Sequence, residues 1–186
     1  MLAARHELRR FTADEVLRMI EAGVLSEDEP LELIEGELIV VPPQGPEHSD
    51  RIAAITMLLS PRYLGRAVVR VQLPLDAGDD SLPEPDFLVT LATPGRHPRG
   101  ADAFLAIEVA RTSQAQDRAK ARIYARAGVP VYWLVDLVAR RVEERTEPNA
   151  EGDYRLTRMY TPSEDIELPG LGQRVLVSEL LGPEPG

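Results

Sequence analysis

The sequence predicts an α/β fold (an α+β mixed sheet) with flanking helices and a β-rich C-terminal extension, and three observations lead to this prediction. The first is the order of the elements, which runs helix, strand, helix, three strands, helix, strand and then several short strands. The second is the almost wholly apolar segment Val131–Val138, which is typical of a strand covered on both faces. The third is the apolar strand Ala103–Ala110. A short helix, Ala115–Ala127, which ends at Gly128 and Pro130, separates it from Val131–Val138.

The N-terminal part of the chain supplies two further helices and a strand. Thr12 and Glu15 form a capping box that begins a helix, and Gly23 ends it. Alternating residues predict one strand over Leu31–Val41, and an apolar stripe predicts a helix over His48–Leu64. The remaining predicted strands are Ala67–Leu75, Pro85–Leu91, Arg140–Arg145, Tyr154–Tyr160 and Arg174–Val177.

Length and composition are those of an ordinary globular protein. The chain has 186 residues, 44% of them hydrophobic and 28% charged, so we expect one domain over residues 1–186. The absence of cysteine excludes disulfides, thiolate metal sites and cysteine nucleophiles. The start lacks the apolar core of a signal peptide, and no apolar run approaches the ~20 residues that span a bilayer. We therefore expect a cytoplasmic protein that does not enter a membrane.

The charge of the chain is acidic and unevenly distributed. A net charge of −10 argues against a broad cationic surface for nucleic acid. Residues 99–126, however, hold six basic and three acidic residues and form the only net-basic segment. We therefore expect any contact with nucleic acid to be limited to a groove in this part of the chain.

Two acidic residues lie at or inside apolar strands. Asp86 opens the apolar run in E-P-D-F-L-V, a position that is also typical of an aspartate at a turn or strand start. Glu108 interrupts A-F-L-A-I-E-V-A, where a carboxylate needs a partner or a metal ion to offset its desolvation. A metal site and a buried ion pair with an arginine both explain Glu108.

Lys120 is the only lysine among 21 basic residues. Its compact ammonium suits contact with a water or a phosphate oxygen, whereas the planar guanidinium suits bidentate binding; a lysine retained by chance is the alternative. Tyr124 lies one helical turn further on the same face, so we expect a packing residue with its hydroxyl near the site. We expect Asp117, Arg118 and Arg122 to lie on the solvated side of this helix or to touch phosphates.

Two residues nearer the N-terminus are further candidates. Glu35, predicted in mid-strand before a glycine, could add a metal ligand, whereas Glu32 and Glu37 are expected to face solvent. His48 opens a helix, where it could contact phosphate or transfer a proton; a surface histidine is the alternative. The chain has no Gly-rich phosphate loop and no G-x-S-x-G elbow, which excludes two common kinds of site.

Five strings follow one another along the chain: L-E-L-I-E-G-E-L-I-V-V-P-P, P-E-H-S, P-E-P-D-F-L-V, L-A-I-E-V-A and K-x-x-x-Y-A-R-A-G-V-P-V-Y-W-L-V-D. In this order they resemble the Uma-type family of restriction endonucleases, which belongs to the PD-(D/E)xK nuclease superfamily. The resemblance runs from about Phe11 to Leu181, nearly the whole chain. It implies a restriction endonuclease-like core over residues 11–181.

The resemblance assigns roles to single residues. Asp86 and Glu108 match the two acidic positions of the superfamily. The third position of the E-x-K motif is Ala110 here, and Lys120 matches a lysine that this family carries on the following helix instead. The segment 111–119 departs from the usual pattern of the family.

The resemblance also implies a cofactor and a substrate. Asp86, Glu108 and the Val109 carbonyl would hold Mg²⁺ or Mn²⁺, hard cations that prefer oxygen ligands, and Glu35, which matches an extra acidic residue, would add a ligand. His48 matches a histidine at the start of a helix. The implied reaction is metal-dependent hydrolysis of phosphodiester bonds in nucleic acid. We expect double-stranded DNA as the substrate and a homodimer that doubles the basic footprint and cuts both strands.

Two other functions remain open at this point. A non-catalytic interaction protein that retains the nuclease fold is favoured by the acidic charge and by the altered segment 111–119. A hydrolase of small phosphate esters is possible because no feature of the sequence specifies a polymer. The complete set of two acids and a lysine favours the nuclease.

Overall fold

The computed structural model describes residues 8–26, 28–110 and 114–184, without the side chains of residues 114–118. The helices are α1 (Ala13–Glu21), α2 (Pro46–Tyr63), α3 (Gln114–Ala127) and α4 (Val177–Leu181). The strands are β1 (Leu31–Ile34), β2 (Glu37–Val40), β3 (Val68–Val71), β4 (Phe87–Thr90), β5 (Ala103–Ala110), β6 (Val131–Asp136), β7 (Arg141–Pro148), β8 (Tyr154–Tyr160), β9 (Asp165–Leu168) and β10 (Gln173–Leu176). One turn of 3-10 helix, Gly100–Asp102, leads into β5.

Six strands form the central sheet in the order β3-β4-β5-β6-β7-β8. β5 and β6 are parallel and α3 connects them, since parallel neighbours need a crossover connection. The other neighbouring strands in this sheet pair antiparallel. The predicted mixed sheet with flanking helices is confirmed. β7 and β8, predicted as part of the C-terminal extension, pair with the central sheet, and the hairpin β9–β10 with α4 follows them.

Both faces of the central sheet are covered at β4, β5 and β6, which explains why these strands are apolar almost throughout. One face packs against α2, α4 and the hairpin β9–β10, through residues that include Ile55, Leu59, Phe87, Ile107, Trp133, Ile166 and Leu180. The opposite face packs against α3, through residues that include Leu88, Ala106, Ala121, Tyr124 and Tyr132. Among the helices described, none is both long enough and apolar enough to cross a membrane.

The predicted single strand over Leu31–Val41 is wrong, because the segment is a hairpin of β1 and β2. Its two-residue turn, Glu35–Gly36, has φ angles of 49° and 82°. Two positive φ angles are the signature of the type I′ turn that joins tight hairpins. A Cβ at Gly36 would lie 2.6 Å from the Cβ of Arg10, so glycine is required there on two grounds.

The hairpin is attached to the rest of the molecule together with α1. The predicted capping box is confirmed: the Thr12 hydroxyl accepts from the Glu15 N–H, and the Glu15 carboxylate accepts from the Thr12 N–H. Val16 of α1 and Leu33 of β1 pack with Leu82, and the Leu82 N–H donates to the Leu33 carbonyl at 2.8 Å. These contacts fix β1 next to the segment that enters β4.

Other boundaries differ from the predictions by a few residues. β3 ends at Val71 rather than Leu75 because Gln72 adopts a left-handed φ of 50°. β4 begins at Phe87, two residues later than predicted. α2 begins at Pro46, two residues earlier than predicted, because proline is well suited to the first helical position. The short elements β9 and α4 were not predicted.

Trp133 should be a main contributor to stability. Its side chain is fully buried on β6, and its indole N–H donates to Glu144 Oε2 at 3.0 Å. We expect Trp133→Ala to lower the free energy of unfolding by about 3–5 kcal/mol, because it leaves a large cavity. The measurement is urea denaturation followed by circular dichroism. Met159→Ala, at a half-exposed position of β8 in the same sheet, is the control and should change it by less than about 0.5 kcal/mol.

A loss below about 1 kcal/mol for Trp133→Ala would show that β6 is not the covered centre of the sheet.

Candidate active site

The pairing of β4 with β5 sets Asp86 and Glu108 side by side. Phe87 pairs with Ile107 in the antiparallel register, so the next step along both strands brings Asp86 opposite Glu108. Residues directly opposite in an antiparallel pair point to the same face of the sheet. Both residues are buried, with 6% and 4% of their surface exposed. Two carboxylates therefore meet on the face that α3 covers.

Three groups hold the Asp86 carboxylate. The Val109 backbone N–H donates to Oδ2 at 2.8 Å, His48 Nε2 lies 3.1 Å from Oδ1, and the Gln72 amide donates to Oδ1 at 3.4 Å. His48 lies in the first turn of α2, and Gln72 directly follows β3. Gln72 also donates to Gln44 Oε1 at 2.8 Å, which ties the Pro-rich loop to the site. The Asp86 carboxylate is therefore held by groups from β5, from α2 and from the end of β3.

Helix α3 supplies two groups to Glu108. The Tyr124 hydroxyl, which is fully buried, donates to Glu108 Oε1 at 2.6 Å, and Lys120 Nζ lies 3.5 Å from the same oxygen. Residues four apart on a helix share a face, which is why both groups reach one carboxylate. Burial, with the nearby Glu108 carboxylate, raises the pKa of the Tyr124 hydroxyl well above its usual value. Tyr124 therefore remains a hydrogen-bond donor at any physiological pH.

Lys120 also reaches a carboxylate of the N-terminal hairpin. Its Nζ lies 2.9 Å from both oxygens of Glu32, and the Lys120 and Glu32 side chains are only 19% and 7% exposed. Burial alone lowers the pKa of this ammonium, but the charges of Glu108, Glu32 and Asp86 outweigh burial and hold the pKa above its usual value. Lys120 is therefore a permanent cation among three carboxylates.

Two of the predictions for the early acidic residues are wrong. Glu35 lies in the turn of the hairpin rather than in mid-strand, is exposed, and pairs with Arg126 at 2.5 Å. Glu32, expected to face solvent, is buried against Lys120 instead. The two-residue turn explains both errors. Leu33 pairs with Leu38 and therefore shares a face of the hairpin with it, whereas in one continuous strand these two residues would point to opposite faces. Glu37 is exposed, as predicted.

Sequence reasoning did not find Gln72 or Glu84 as members of this cluster. Burial and the charge of Glu32 raise the pKa of the Glu84 carboxyl, whereas Lys120 lowers it. A left-handed, non-glycine residue such as Gln72 often marks a functional site, but its backbone angle cannot be read from the residue type. The E-G dipeptide at residues 35–36 was the one available signal, since it could have indicated the turn that buries Glu32.

The donor set fits a hard divalent cation only if the backbone contributes. Within the described residues, no three side chains of His, Cys, Asp or Glu form a cluster that could hold a metal ion. The side chains therefore offer two carboxylates, Asp86 and Glu108. The Val109 N–H points to Asp86. Because the N–H and C=O of one residue point to the same edge of a strand, the Val109 carbonyl is also directed to the edge of β5 next to Asp86. Three oxygen donors of this kind suit Mg²⁺ or Mn²⁺.

Part of the predicted basic groove lies outside the described residues. This applies to Arg111 and to the side chains of Asp117 and Arg118, and with them to most of the segment 111–119. Arg122 is described and exposed on α3, on the solvated side that was predicted for it.

Comparison with known proteins supports the nuclease fold. The family model Uma2, described as "Putative restriction endonuclease", matches residues 13–178. A crystal structure of a "putative nuclease belonging to DUF820" from Anabaena variabilis ATCC 29413 is similar with a TM-score of 0.71 at 22% sequence identity, covering 92% of this chain and 97% of that one. No curated protein matches this chain. The resemblance found in the sequence is confirmed, and the structural likeness extends to the fold.

Tyr124→Phe should show how much the buried hydroxyl stabilises Glu108. A hydrogen bond to a charged group contributes about 1.5–3 kcal/mol, so we expect the free energy of unfolding to fall by that amount. Tyr154→Phe is the matched control, because its hydroxyl donates to a neutral acceptor, the Val129 carbonyl, at 2.9 Å. The control should lose only about 0.5–1.5 kcal/mol in the same urea denaturation experiment. Equal losses in the two variants would mean that other groups hold Glu108.

Proposed function

We propose that this chain, which belongs to the Uma2 family, is a divalent-metal-dependent endonuclease acting on double-stranded DNA. One observation carries the proposal: two buried carboxylates, Asp86 and Glu108, share a sheet face with the Lys120 ammonium, which lies 3.5 Å from Glu108. Such a set can serve phosphodiester hydrolysis, because the acids can hold a cation and the ammonium can stabilise negative charge on the phosphate.

The two carboxylates and the Val109 carbonyl are the proposed ligands of Mg²⁺ or Mn²⁺. Bound there, the ion would supply Lewis-acid polarisation of the scissile phosphate and a water of lowered pKa. Hydrogen bonds within the protein orient both carboxylate ligands: the Val109 N–H, His48 and Gln72 orient Asp86, and the Tyr124 hydroxyl orients Glu108. Such support of ligands by neighbouring hydrogen bonds strengthens metal binding in other proteins. His48 accordingly acts as a positioning residue of Asp86.

Lys120 is proposed to act as a fixed positive charge toward phosphate oxygens. Its pKa lies above the usual range despite burial, because three carboxylates surround it. It therefore cannot serve as a general base near neutral pH. A cation held in a site with little water stabilises developing negative charge more strongly than it would in bulk solvent.

The acidic chain constrains how DNA would be bound. With a net charge of −10, one copy has a single net-basic segment, residues 99–126, which includes the exposed Arg122 on α3. A homodimer would present two such segments and two sites, one for each strand of a duplex. We propose this arrangement for one domain of residues 1–186 that acts in the cytoplasm.

The metal ligands can be tested by binding and by turnover. Asp86→Asn and Glu108→Gln each remove a negative charge that the cation needs, so both should weaken Mn²⁺ binding and lower the cleavage rate by at least about 100-fold. Calorimetry measures the first, and conversion of supercoiled plasmid with Mg²⁺, Mn²⁺ or EDTA measures the second. Single-stranded DNA and RNA are assayed in parallel to define the substrate. EDTA should abolish cleavage.

Glu143→Gln is the matched control, because Glu143 is also a buried carboxylate with a cation partner, Arg145, but lies on β7. Its Mn²⁺ affinity should equal that of the parent protein. If Asp86→Asn and Glu108→Gln also bind Mn²⁺ as the parent does, the fold serves a non-catalytic interaction instead.

Lys120→Arg tests whether an ammonium is needed rather than charge alone. The guanidinium is larger and planar and cannot fit between the oxygens of Glu32 and Glu108 as a compact ion does. We expect cleavage to fall by about 100-fold, with Mn²⁺ affinity changed much less than by Asp86→Asn. Cleavage at the parental rate would make the lysine incidental and move the catalytic cation to the arginines of residues 111–122.

A further inference from the structure

Glu32 enters the site from outside the central sheet. It lies on β1, which pairs with β2 in a separate hairpin, yet both of its carboxylate oxygens lie 2.9 Å from Lys120 Nζ. The two residues are 88 positions apart in the chain. With the Glu32 side chain only 7% exposed, this is a buried contact that depends on the placement of the whole hairpin.

Neutralisation of charge does not explain Glu32. Lys120 already interacts with the carboxylates of Glu108 and Asp86, so among the described side chains these three carry more negative than positive charge even without Glu32. Adding the Glu32 carboxylate, 2.9 Å from Lys120 Nζ, increases this excess. Burying another charge also costs solvation energy that a single ion pair often fails to recover. The contact therefore contributes something other than charge balance.

The distances indicate that Glu32 sets the position of the ammonium. Hydrogen bonds from N–H to oxygen measure about 2.7–3.2 Å, so Lys120 is hydrogen-bonded to Glu32 at 2.9 Å but only electrostatically paired with Glu108 at 3.5 Å. An ammonium and a divalent cation compete for the same carboxylate oxygens. A lysine drawn toward Glu32 leaves Glu108 better able to hold a cation.

We propose that Glu32 is the positioning residue of Lys120, which it holds away from Glu108 so that the carboxylate binds the metal ion while the ammonium stays directed at the phosphate. The inference rests on the proposed nuclease function. The competing role, in which Glu32 is itself a metal ligand, is disfavoured because both Glu32 oxygens contact Lys120.

Glu32→Gln tests the proposal, since it keeps the size of the side chain and removes its charge. Lys120 should move onto Glu108, and Mn²⁺ affinity measured by calorimetry should fall by about 10–100-fold, as for other groups that orient metal ligands. The same change made in a Lys120→Met background should leave Mn²⁺ affinity unaltered, because the competing ammonium is gone. Glu32→Asp keeps the charge and should recover part of the affinity.

The single lysine gives a direct structural readout. Protein made with lysine labelled with ¹⁵N at the ζ position has one side-chain signal, that of Lys120. Glu32→Gln should shift this signal and speed the exchange of its protons with water, in the absence of any metal. Glu143→Gln, which breaks the buried pair with Arg145 on β7, should leave the signal and the Mn²⁺ affinity unchanged.

Two results would overturn the positioning role. One is a Lys120 signal and a Mn²⁺ affinity that Glu32→Gln does not change. The other is an equal loss of Mn²⁺ affinity in the presence and absence of Lys120, which would make Glu32 a metal ligand. A parent protein that neither binds Mn²⁺ nor cleaves nucleic acid would instead refute the proposed function, and the Lys120 signal would still decide whether Glu32 holds the ammonium.

Discussion

The apposition of Asp86 and Glu108 inside the sheet is the constraint on which the rest of the structure depends. Like charges directly opposite each other on adjacent strands repel, and burial removes the water that would otherwise screen them. The cost is offset by donors from separate parts of the chain: His48 from α2, Gln72 from the end of β3, the Val109 N–H from β5, and Lys120 and Tyr124 from α3. The helices on both sides of the sheet are therefore held by a polar contact as well as by apolar packing.

This arrangement is a poor way to gain stability. Apolar residues of similar volume usually stabilise a core as well as a buried ion pair does, or better, whereas an unpaired buried charge is strongly destabilising. Among the described side chains, three carboxylates lie around one ammonium, and a divalent cation would relieve this surplus of negative charge. A role in a reaction explains the buried carboxylates and the Lys120 ammonium better than a contribution to stability does, which agrees with membership of a nuclease family.

The fold could be predicted from the sequence where one local signal dominates, as in the apolar strand Ala103–Ala110 and the capping box at Thr12. Asp86, Glu108 and Lys120 could be singled out because each is unusual in its own segment. Glu32 was expected to face solvent, because the one local signal of its burial is the E-G dipeptide at residues 35–36, which can indicate a turn but not what packs against the hairpin. Its burial also depends on packing against Leu82 and on a lysine 88 residues away, and neither leaves a trace in the local sequence.

The use of a single lysine follows from the geometry of these contacts. Arginine serves the other pairs well: Arg96 binds both oxygens of Asp102 through its planar fork, and Arg126 reaches the exposed carboxylate of Glu35. Around Lys120 the carboxylate oxygens come from different elements, those of Glu32 from β1 and that of Glu108 from β5. A planar guanidinium could not face both carboxylates at once. A compact ammonium with three donors meets this demand. The only lysine of the chain therefore lies where carboxylates from separate elements converge on a largely buried cation.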